Sequence, residues 1–321
     1  MASQPAAPGI SEVNASASPR NIEGALWLVA SGVVFTIFLT LAKFLSASQE
    51  PGVIAFWRAF VGFLVTLPVI FRQGRSVLVL RRPWLVIARS FFGTVAFLFG
   101  MIAISDAYAL PLSQYNAISF ARSLFLTVLA ALLLREAVGA WRWGAVATGF
   151  VGILIMVMPG LFLPGYEAEG LVIDGGTAFA LLSALGFALA IVLVKTLTAT
   201  HSPMTLLIWG NLLSTVLLAP FLFLQFATPT LTEWGLLIAM AVTGVAGQYF
   251  YINAMAVGDA SFLAPIDYLR LPMAAAADWV VFKLLPGLNV WIGAAIIVSA
   301  TLVITLRERT KRAQSGGEID E

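Results

Sequence analysis

Three charged side chains lie deep within long apolar runs of the sequence. Arg122 belongs to the first half of the chain, and Asp267 and Arg270 belong to the second half. A charged residue near the centre of a membrane helix costs roughly 2.5–3.5 kcal/mol on insertion scales. Because charge at this depth marks substrate and ion pathways in membrane proteins, these residues indicate a site that binds something polar as it crosses the membrane.

A polar stripe surrounds the first of these charges. Tyr115, Ser119 and Arg122 are spaced i, i+4, i+7 and therefore share one face of a helix, and Asn116 and Ser123 flank them. Because arginine keeps its charge in proteins, the position of Arg122 near the centre of its span predicts that it contacts an anionic group in a wet cavity. For the uncharged residues, hydrogen bonding between helices, worth about 0.6 kcal/mol per bond, is an equally good account.

A second stripe mirrors the first. Asp267, Arg270 and Asp278 share a helical face, and Tyr268 follows the first of them. Asp267 and Arg270 are close enough to pair within a helix, and a purely structural pair is the alternative to a binding role. We expect the pair to meet Arg122 across a central cavity and to bind a substrate with an anionic or zwitterionic group. Alanine at Arg122 or at Asp267 would then abolish transport.

Other polar residues within apolar runs are weaker candidates. Gln248 and Tyr251 combine an amide and an aromatic ring, which suits a small, partly flat metabolite, although packing accounts for them equally well. Arg58 and Arg89 lie close to the ends of predicted spans, where snorkelling to the lipid headgroups is expected. His201 lies in a short predicted loop and is expected to be solvated.

The composition predicts an integral membrane protein, whose first partner is the lipid bilayer. Hydrophobic residues make up 60% of the 321 residues and charged residues 11%, against about 25% charged residues in a soluble domain. The absence of cysteine excludes disulfides and thiolate metal sites. The net charge of +2 gives no support to nucleic-acid binding. No cofactor and no metal are expected.

Apolar runs long enough to span a bilayer recur along nearly the whole chain. Ten spans are predicted, near residues 24–45, 53–71, 84–105, 109–134, 140–158, 175–197, 203–227, 233–256, 260–285 and 288–306. Residues 1–22 are predicted to form a disordered cytosolic tail, and residues 307–321 a charged cytosolic tail.

Basic residues predict the orientation of these spans. Twelve of the 18 lysines and arginines fall on the side of the N-terminus, two fall on the other side, and the remaining four lie within spans. Because cytoplasmic loops carry the excess of positive charge, both termini are expected in the cytosol. This describes a multi-pass protein of a bacterial-type inner (plasma) membrane.

The two halves of the chain resemble each other. Arg142-Trp143-Gly144-Ala145 precedes the fifth apolar run, and Trp291-Ile292-Gly293-Ala294 precedes the tenth. Since five spans per half is an odd number, the second copy must start on the opposite side of the membrane. The predicted fold is an all-α integral membrane protein with ten transmembrane helices in two inverted five-helix repeats, residues 23–160 and 161–306.

Small residues recur on one face of the predicted fifth span. Gly144, Thr148 and Gly152 are spaced four residues apart, which allows another helix to approach closely. A contact within the chain is the first interpretation, and a homodimer interface is the second possibility.

Several passages resemble those of a known family. They are Leu110-Pro111-Leu112-Ser113-Gln114-Tyr115-Asn116-Ala117-Ile118-Ser119-Phe120, then Leu132-Leu133-Leu134-Arg135-Glu136, and in the second half Leu263-Ala264-Pro265-Ile266-Asp267-Tyr268. The pattern resembles the drug/metabolite transporter superfamily, of the EamA type. The resemblance implies ten helices in two inverted halves, with a central cavity lined mainly by helices 1, 3, 4, 6, 8 and 9. Ser123 stands where the family often has proline, and Lys283-Leu284 where it often has glutamate.

The resulting prediction is a secondary transporter that moves a small organic metabolite, amino-acid-like or cofactor-like, by alternating access. A polytopic membrane enzyme is the alternative, but the sequence has no HExxH motif and no acidic metal cluster. A channel subunit is a further alternative, although no selectivity filter is evident. Only Asp267 and Asp278 offer carboxylates at depth, and Asp267 would be a poor proton carrier if it is paired with an arginine. Facilitated or exchange transport is therefore favoured over strict proton coupling.

Overall fold

The chain folds into a bundle of α-helices. A computed structural model describes residues 21–74, 78–133, 140–164, 174–197, 200–224, 229–257, 263 and 266–317. The helices are α1 (Asn21–Leu45), α2 (Pro51–Gln73), α3 (Pro83–Ile104), α4 (Leu112–Ser119), α5 (Ala121–Leu133), α6 (Ala140–Val157), α7 (Pro159–Phe162), α8 (Gly175–Leu197), α9 (Pro203–Leu224), α10 (Leu231–Val257), α11 (Arg270–Phe282) and α12 (Leu288–Gly317).

The order of these helices matches the ten predicted spans. Within the described residues, seven helical segments are long and apolar enough to cross a membrane, and α4 and α5 form one of them together, over residues 112–133. Shorter apolar helices cover Trp143–Val157 and Leu288–Ala300. The ninth span is represented by the 13 residues of α11, and α7 is a single turn in the loop that follows α6.

The helices pair in a pattern that relates the two halves of the chain. The first span packs on the eighth, the third on the sixth, the second on the seventh, the fourth on the ninth and the fifth on the tenth. An exchange of span n with span n+5 reproduces every one of these pairs. This is the pairing that two equivalent halves produce around a two-fold axis. The boundary between the halves at residue 160 stays a prediction.

The fourth span is broken near its middle. The helix stops at Phe120, whose amide lies 3.3 Å from the carbonyl oxygen of Ala117, an i−3 contact in place of the i−4 bond of an α-helix. The hydroxyls of Ser119 and Ser123 donate to the carbonyls of Asn116 and Phe120, at 2.7 and 2.8 Å. These local bonds satisfy carbonyls at the break, which is how a polar stripe tolerates a bend at membrane depth.

The fifth and tenth spans meet backbone to backbone. A Cβ placed on Gly152 would lie 2.8 Å from the carbonyl oxygen of Gly293, and one on Gly293 would lie 2.5 Å from that of Gly152. The side-chain amide of Asn289 donates to the carbonyl of Met156 at 2.9 Å and ties the same two helices. Gly152 therefore serves a contact within the chain, whereas Gly144 faces open space. A homodimer stays a prediction.

Gly293→Ala is expected to destabilise the protein by about 1–3 kcal/mol, because the added methyl group overpacks a contact between two backbones. Gly144→Ala is the matched control, since nothing lies within 4 Å of the new methyl group and alanine favours a helix more than glycine does. Thermal unfolding of both purified variants in the same detergent measures the difference. Equal melting temperatures for the two variants would contradict this close contact.

His201 is buried, not solvated as its loop position suggests. Only 6% of the residue is exposed, and its Nε2 accepts a hydrogen bond from the amide of Arg81 at 3.0 Å. Its Nδ1 lies 2.9 Å from the hydroxyl of Thr200. Since Nε2 is the acceptor, a neutral ring carries its proton on Nδ1. The histidine thus joins the loop before α3 to the loop before α9, a contact that loop position alone does not reveal.

Candidate functional site

A cavity of about 410 Å³ lies within the bundle. Helices α1 to α5 and α8 to α11 contribute side chains to its wall, whereas no described residue of α6 or α12 does. The helices implied by the family resemblance all take part. The second and seventh spans take part as well, through Arg58 of α2 and through Asn211 and its neighbours in α9.

The cavity collects most of the side chains that the sequence singles out. Those that line it are Tyr115, Asn116, Ser119, Arg122, Gln248, Tyr251 and Arg270. Asp267 and Tyr268 are not among the lining residues. The two polar stripes, from the fourth and ninth spans, therefore do meet at one cavity, through Arg122 and Arg270.

The stripe of the fourth span makes much of its hydrogen bonding locally. The Asn116 side chain donates to the carbonyl of Leu112 at 2.8 Å. Tyr115 is buried, and its hydroxyl lies against Gly100 and Ser183 of the neighbouring helices. These contacts hold the aromatic ring at the cavity wall, so Tyr115 both packs between helices and lines the cavity.

Arg122 lines the cavity without a partner among the described residues. None of them forms an ion pair or a hydrogen bond with its guanidinium group. A permanently charged group with unused in-plane donors is suited to a carboxylate or a phosphate. The donors of Arg122 are therefore free to bind an anionic group that enters the cavity.

Arg270 is held in place from several sides. Its Nε lies 2.9 Å from Oδ1 of Asp267, and its Nη2 donates to the Ser31 hydroxyl at 3.4 Å. The guanidinium carbon lies 5.3 Å from the ring centroids of both Phe35 and Tyr251. Asp267 thus contacts Arg270 without itself lining the cavity, and it helps to hold the arginine in position.

Tyr268 packs where the fourth span is broken. Its ring meets Phe120 edge to face, with the ring centroids 4.9 Å apart. Aromatic pairs in this geometry add about 0.5–1.5 kcal/mol beyond their area burial. The structure places Tyr268 between the fourth and ninth spans, beside the cavity wall.

Arg58 and Arg89 also line the cavity, so the expectation that they snorkel to the headgroups is wrong. The Arg58 guanidinium carbon lies 4.2 Å from the ring centroid of Phe97 and 5.8 Å from that of Phe38. Nη1 of Arg89 reaches the carbonyl of Leu206 at 3.5 Å. Counting residues from a span end estimates depth but not the face of the helix. Arg89, Gly93 and Phe97 recur every four residues on one face of α3, and this pattern could have predicted that Arg89 faces the interior of the bundle.

Positive charge dominates the cavity. Arg58, Arg89, Arg122 and Arg270 line it, and no aspartate or glutamate is among the lining residues that the structure describes. No cluster of metal-ligating side chains occurs in the described part of the chain. Because like charge repels cations in a low-dielectric cavity, the arrangement is suited to anionic groups.

Asp278 serves the fold and not the cavity. The residue is fully buried, and its carboxylate accepts hydrogen bonds from the amides of Leu112 and Ser113, at 2.9 and 2.7 Å, and from the Ser113 hydroxyl at 2.7 Å. A carboxylate at the start of α4 satisfies amides that the helix cannot. Nearby, Lys43 donates to the carbonyl of Leu110 at 3.1 Å. Asp278 therefore caps the fourth span from the ninth.

Comparison with known proteins places this bundle in a family. The model of the EamA-like transporter family matches residues 22–158 and again residues 175–306. A riboflavin transporter of Rhizobium johnstonii is 31% identical over 90% of this chain and 93% of its own length. An S-adenosylmethionine uptake transporter of Rickettsia prowazekii is 27% identical over 90% of this chain and 94% of its own length.

A solved crystal structure gives the same result for the fold. It superimposes with a TM-score of 0.56 at 19% sequence identity, over 88% of this chain and 98% of the other. At this identity the likeness concerns the helical architecture alone. The family match, by contrast, covers both halves of the chain. The chain belongs to the EamA-like transporter family, so it is a membrane transporter of small metabolites and not an enzyme.

Proposed function

We propose that this protein is a secondary transporter for a small, cofactor-like metabolite that carries an anionic or zwitterionic group, and that it works by alternating access. The observation that carries the proposal is the set of four arginines around one cavity without a carboxylate among the described lining residues. Charge of one sign in a cavity with low-dielectric walls raises the local concentration of ligands of the other sign.

Size and aromatic lining support a cofactor-like cargo. The volume of about 410 Å³ falls in the range of roughly 300–1,000 Å³ that small-molecule sites occupy. Phe35, Phe97 and Tyr251 contribute ring surface to the wall. Rings with a few directed polar groups are suited to a flat heteroaromatic molecule. A simple amino acid would leave much of this apolar wall in contact with water.

The named relatives offer two cargo classes that differ in charge. Riboflavin is an uncharged flat ring with a hydroxylated chain, whereas S-adenosylmethionine carries a sulfonium and an ammonium against one carboxylate. A cargo of net positive charge would meet four arginines, with Asp267 as the described counter-charge paired to Arg270. Like-charge juxtaposition costs several kcal/mol, so the cavity favours flavin-like over cationic molecules.

The same cavity suits alternating access. Arg122 belongs to the first half of the chain and Arg270 to the second, so both halves contribute to one central site. Rocking of one repeat against the other around such a site would expose it to either side in turn. Asp267 is paired and Asp278 caps a helix, so neither presents a free carboxylate to the cavity. This favours exchange or facilitated transport over proton coupling.

Counterflow in proteoliposomes tests the proposal. Vesicles loaded with an unlabelled flavin that carries an anionic group should accumulate the same labelled flavin transiently, and empty liposomes should not. External anionic flavins should suppress the signal, whereas S-adenosylmethionine, whose net charge is positive, should leave it unchanged at the same concentration. Suppression by S-adenosylmethionine with no effect of the flavins would overturn the charge assignment, and the absence of counterflow for every metabolite tested would overturn secondary transport.

A further inference from the structure

We infer that Arg58, Arg89 and Ser90 form a subsite for a phosphate-like dianion on the transported molecule, separate from Arg122 and Arg270. The inference rests on the proposed function, because it assumes that the cavity holds the cargo. It goes beyond that function by naming a second anionic group and the side chains that bind it. Its chemical class is a phosphorylated metabolite.

Unused donors mark the subsite. Nε of Arg58, Nε of Arg89 and the hydroxyl of Ser90 are buried and have no hydrogen-bond partner among the described residues, and all three residues line the cavity. Ser90 is only 2% exposed. Buried polar groups in native proteins are nearly always paired, and an unpaired one is most unfavourable when it is charged. Three such groups in residues that line one cavity indicate a ligand that accepts hydrogen bonds.

Two aromatic rings flank the guanidinium group of Arg58. Phe97 and Phe38 lie within cation–π distance of the guanidinium group, at 4.2 and 5.8 Å from centroid to carbon. Stacking on rings fixes the plane of a guanidinium group while its N–H bonds still point outward in that plane. Such a group is prepared for bidentate binding of an oxyanion, because little side-chain freedom remains to be lost.

A glycine makes room for Arg89. A Cβ at Gly210 would collide with Nη1 of Arg89, so the glycine leaves room for the end of this side chain beside α9. Among the described residues, Nη1 donates to the carbonyl of Leu206 at the long distance of 3.5 Å. The absence of a side chain at Gly210 therefore helps to place the arginine, whose Nε has no hydrogen-bond partner among the described residues.

Neutral polar groups complete the wall. The hydroxyl of Thr94 donates to the carbonyl of Ser90 at 2.7 Å and lies 2.5 Å from the hydroxyl of Ser214, which leaves Ser214 as the donor in that pair. Asn211 contributes an amide to the same cavity. None of these groups carries a negative charge that would repel an anion.

The balance of charge favours a dianion. Four arginines line the cavity, and Asp267 offsets one of them. Arg58 and Arg89 carry like charge in the same cavity, so a bound dianion offsets their repulsion. A phosphate monoester carries about −1.5 to −2 charges at neutral pH, which matches two guanidinium groups better than a single carboxylate does.

Inorganic phosphate is the first probe. The melting temperature of the purified protein in detergent should rise with phosphate but not with acetate at equal ionic strength. The rise should be lost in Arg58→Gln and Arg89→Gln, and retained in Arg82→Gln, whose side chain is exposed outside the cavity. No phosphate-specific rise in the wild type, or a rise that persists in Arg89→Gln, would overturn the subsite.

Gly210→Ala separates a built subsite from general attraction of anions. The methyl group displaces the flexible end of Arg89 but leaves every charge in the cavity. Loss of the phosphate effect in Gly210→Ala supports the subsite, and an undiminished effect there overturns it. Gly210→Ala neither buries nor removes a charge. It therefore tests the subsite even when the arginine variants fail to fold.

A comparison of the affinities of two flavins tests whether the subsite binds the transported molecule. Riboflavin 5′-phosphate should bind about tenfold or more tightly than riboflavin, the effect of at least one charge-assisted hydrogen bond, as measured by flavin fluorescence. Gly210→Ala should abolish that preference. Equal affinities, or no binding of the phosphorylated flavin, overturn the assignment to cargo. Riboflavin counterflow that proceeds without any phosphate effect would refute the subsite and leave the transport proposal standing.

Discussion

Arg122→Gln is expected to lower the initial rate of counterflow by about 10- to 150-fold, because a hydrogen bond to a charged group contributes about 1.5–3 kcal/mol. The side chain lines the cavity, and no described residue is available to replace the cargo as its partner. Glutamine is nearly as long and polar, so the fold should tolerate it. The measurement is counterflow in proteoliposomes with equal amounts of inserted protein.

Controls for this prediction come from the same chain. Arg122→Lys keeps the charge but loses the planar fork, so it should recover only part of the rate. Arg82→Gln, outside the cavity, should match the wild type. Asp267→Asn is expected to cause a smaller loss than Arg122→Gln and to add little to Arg270→Gln, since Asp267 acts through that arginine. Undiminished counterflow in Arg122→Gln would remove Arg122 from the site.

Asp278→Ala is expected to destabilise the protein by on the order of 2–5 kcal/mol, because two buried backbone amides lose their acceptor. These are the amides of Leu112 and Ser113, and the Ser113 hydroxyl loses its partner as well. The melting temperature of the purified protein and its yield in membranes should both fall. In Asp278→Ala activity should fall because the fold is lost, whereas in Arg122→Gln it should fall although the fold is kept.

The exposed Asp106 provides the matched control for this variant. Asp106→Ala removes the same carboxylate from an exposed loop position and should change the melting temperature very little. Asp278→Asn should give an intermediate value, because the amide oxygen still accepts one hydrogen bond. An Asp278→Ala variant as stable as Asp106→Ala would show that the start of α4 finds other partners.

The fold was predictable because its signal is local. A run of apolar residues long enough to cross a bilayer predicts a helix wherever it occurs. The loop between two such runs can likewise be recognised from the local sequence alone. The inward position of Arg122 and Arg270 was predictable on similar grounds, since a charge in the middle of a membrane helix is costly and faces the protein interior or a cavity. The bend at Phe120 was not, because Ser119 and Ser123 stabilise it through bonds that any helix could make.

The rest of the site depends on partners that are distant in sequence. Asp278 shares a helical face with Arg270 in the sequence pattern, yet its partner at Leu112 is 166 positions away. Arg58 faces inward because α2 packs on α9, and Arg89 faces inward because α3 packs on α8 and α9; helix packing is a property of the whole bundle. Depth in the membrane can be estimated from one segment of sequence, whereas the direction in which a side chain points needs its neighbours.

The contact of Gly152 with Gly293 has a consequence for how transporters of this kind can diversify. The helices that meet at these glycines contribute no described side chain to the cavity, so this contact between the halves is separate from the residues that line the cavity. Substitutions can then accumulate around the cavity and change the cargo while the glycine contact stays as it is. Exchanging cavity-facing segments between relatives, with α6 and α12 kept as a native pair, is therefore a practical route to transporters with new cargo.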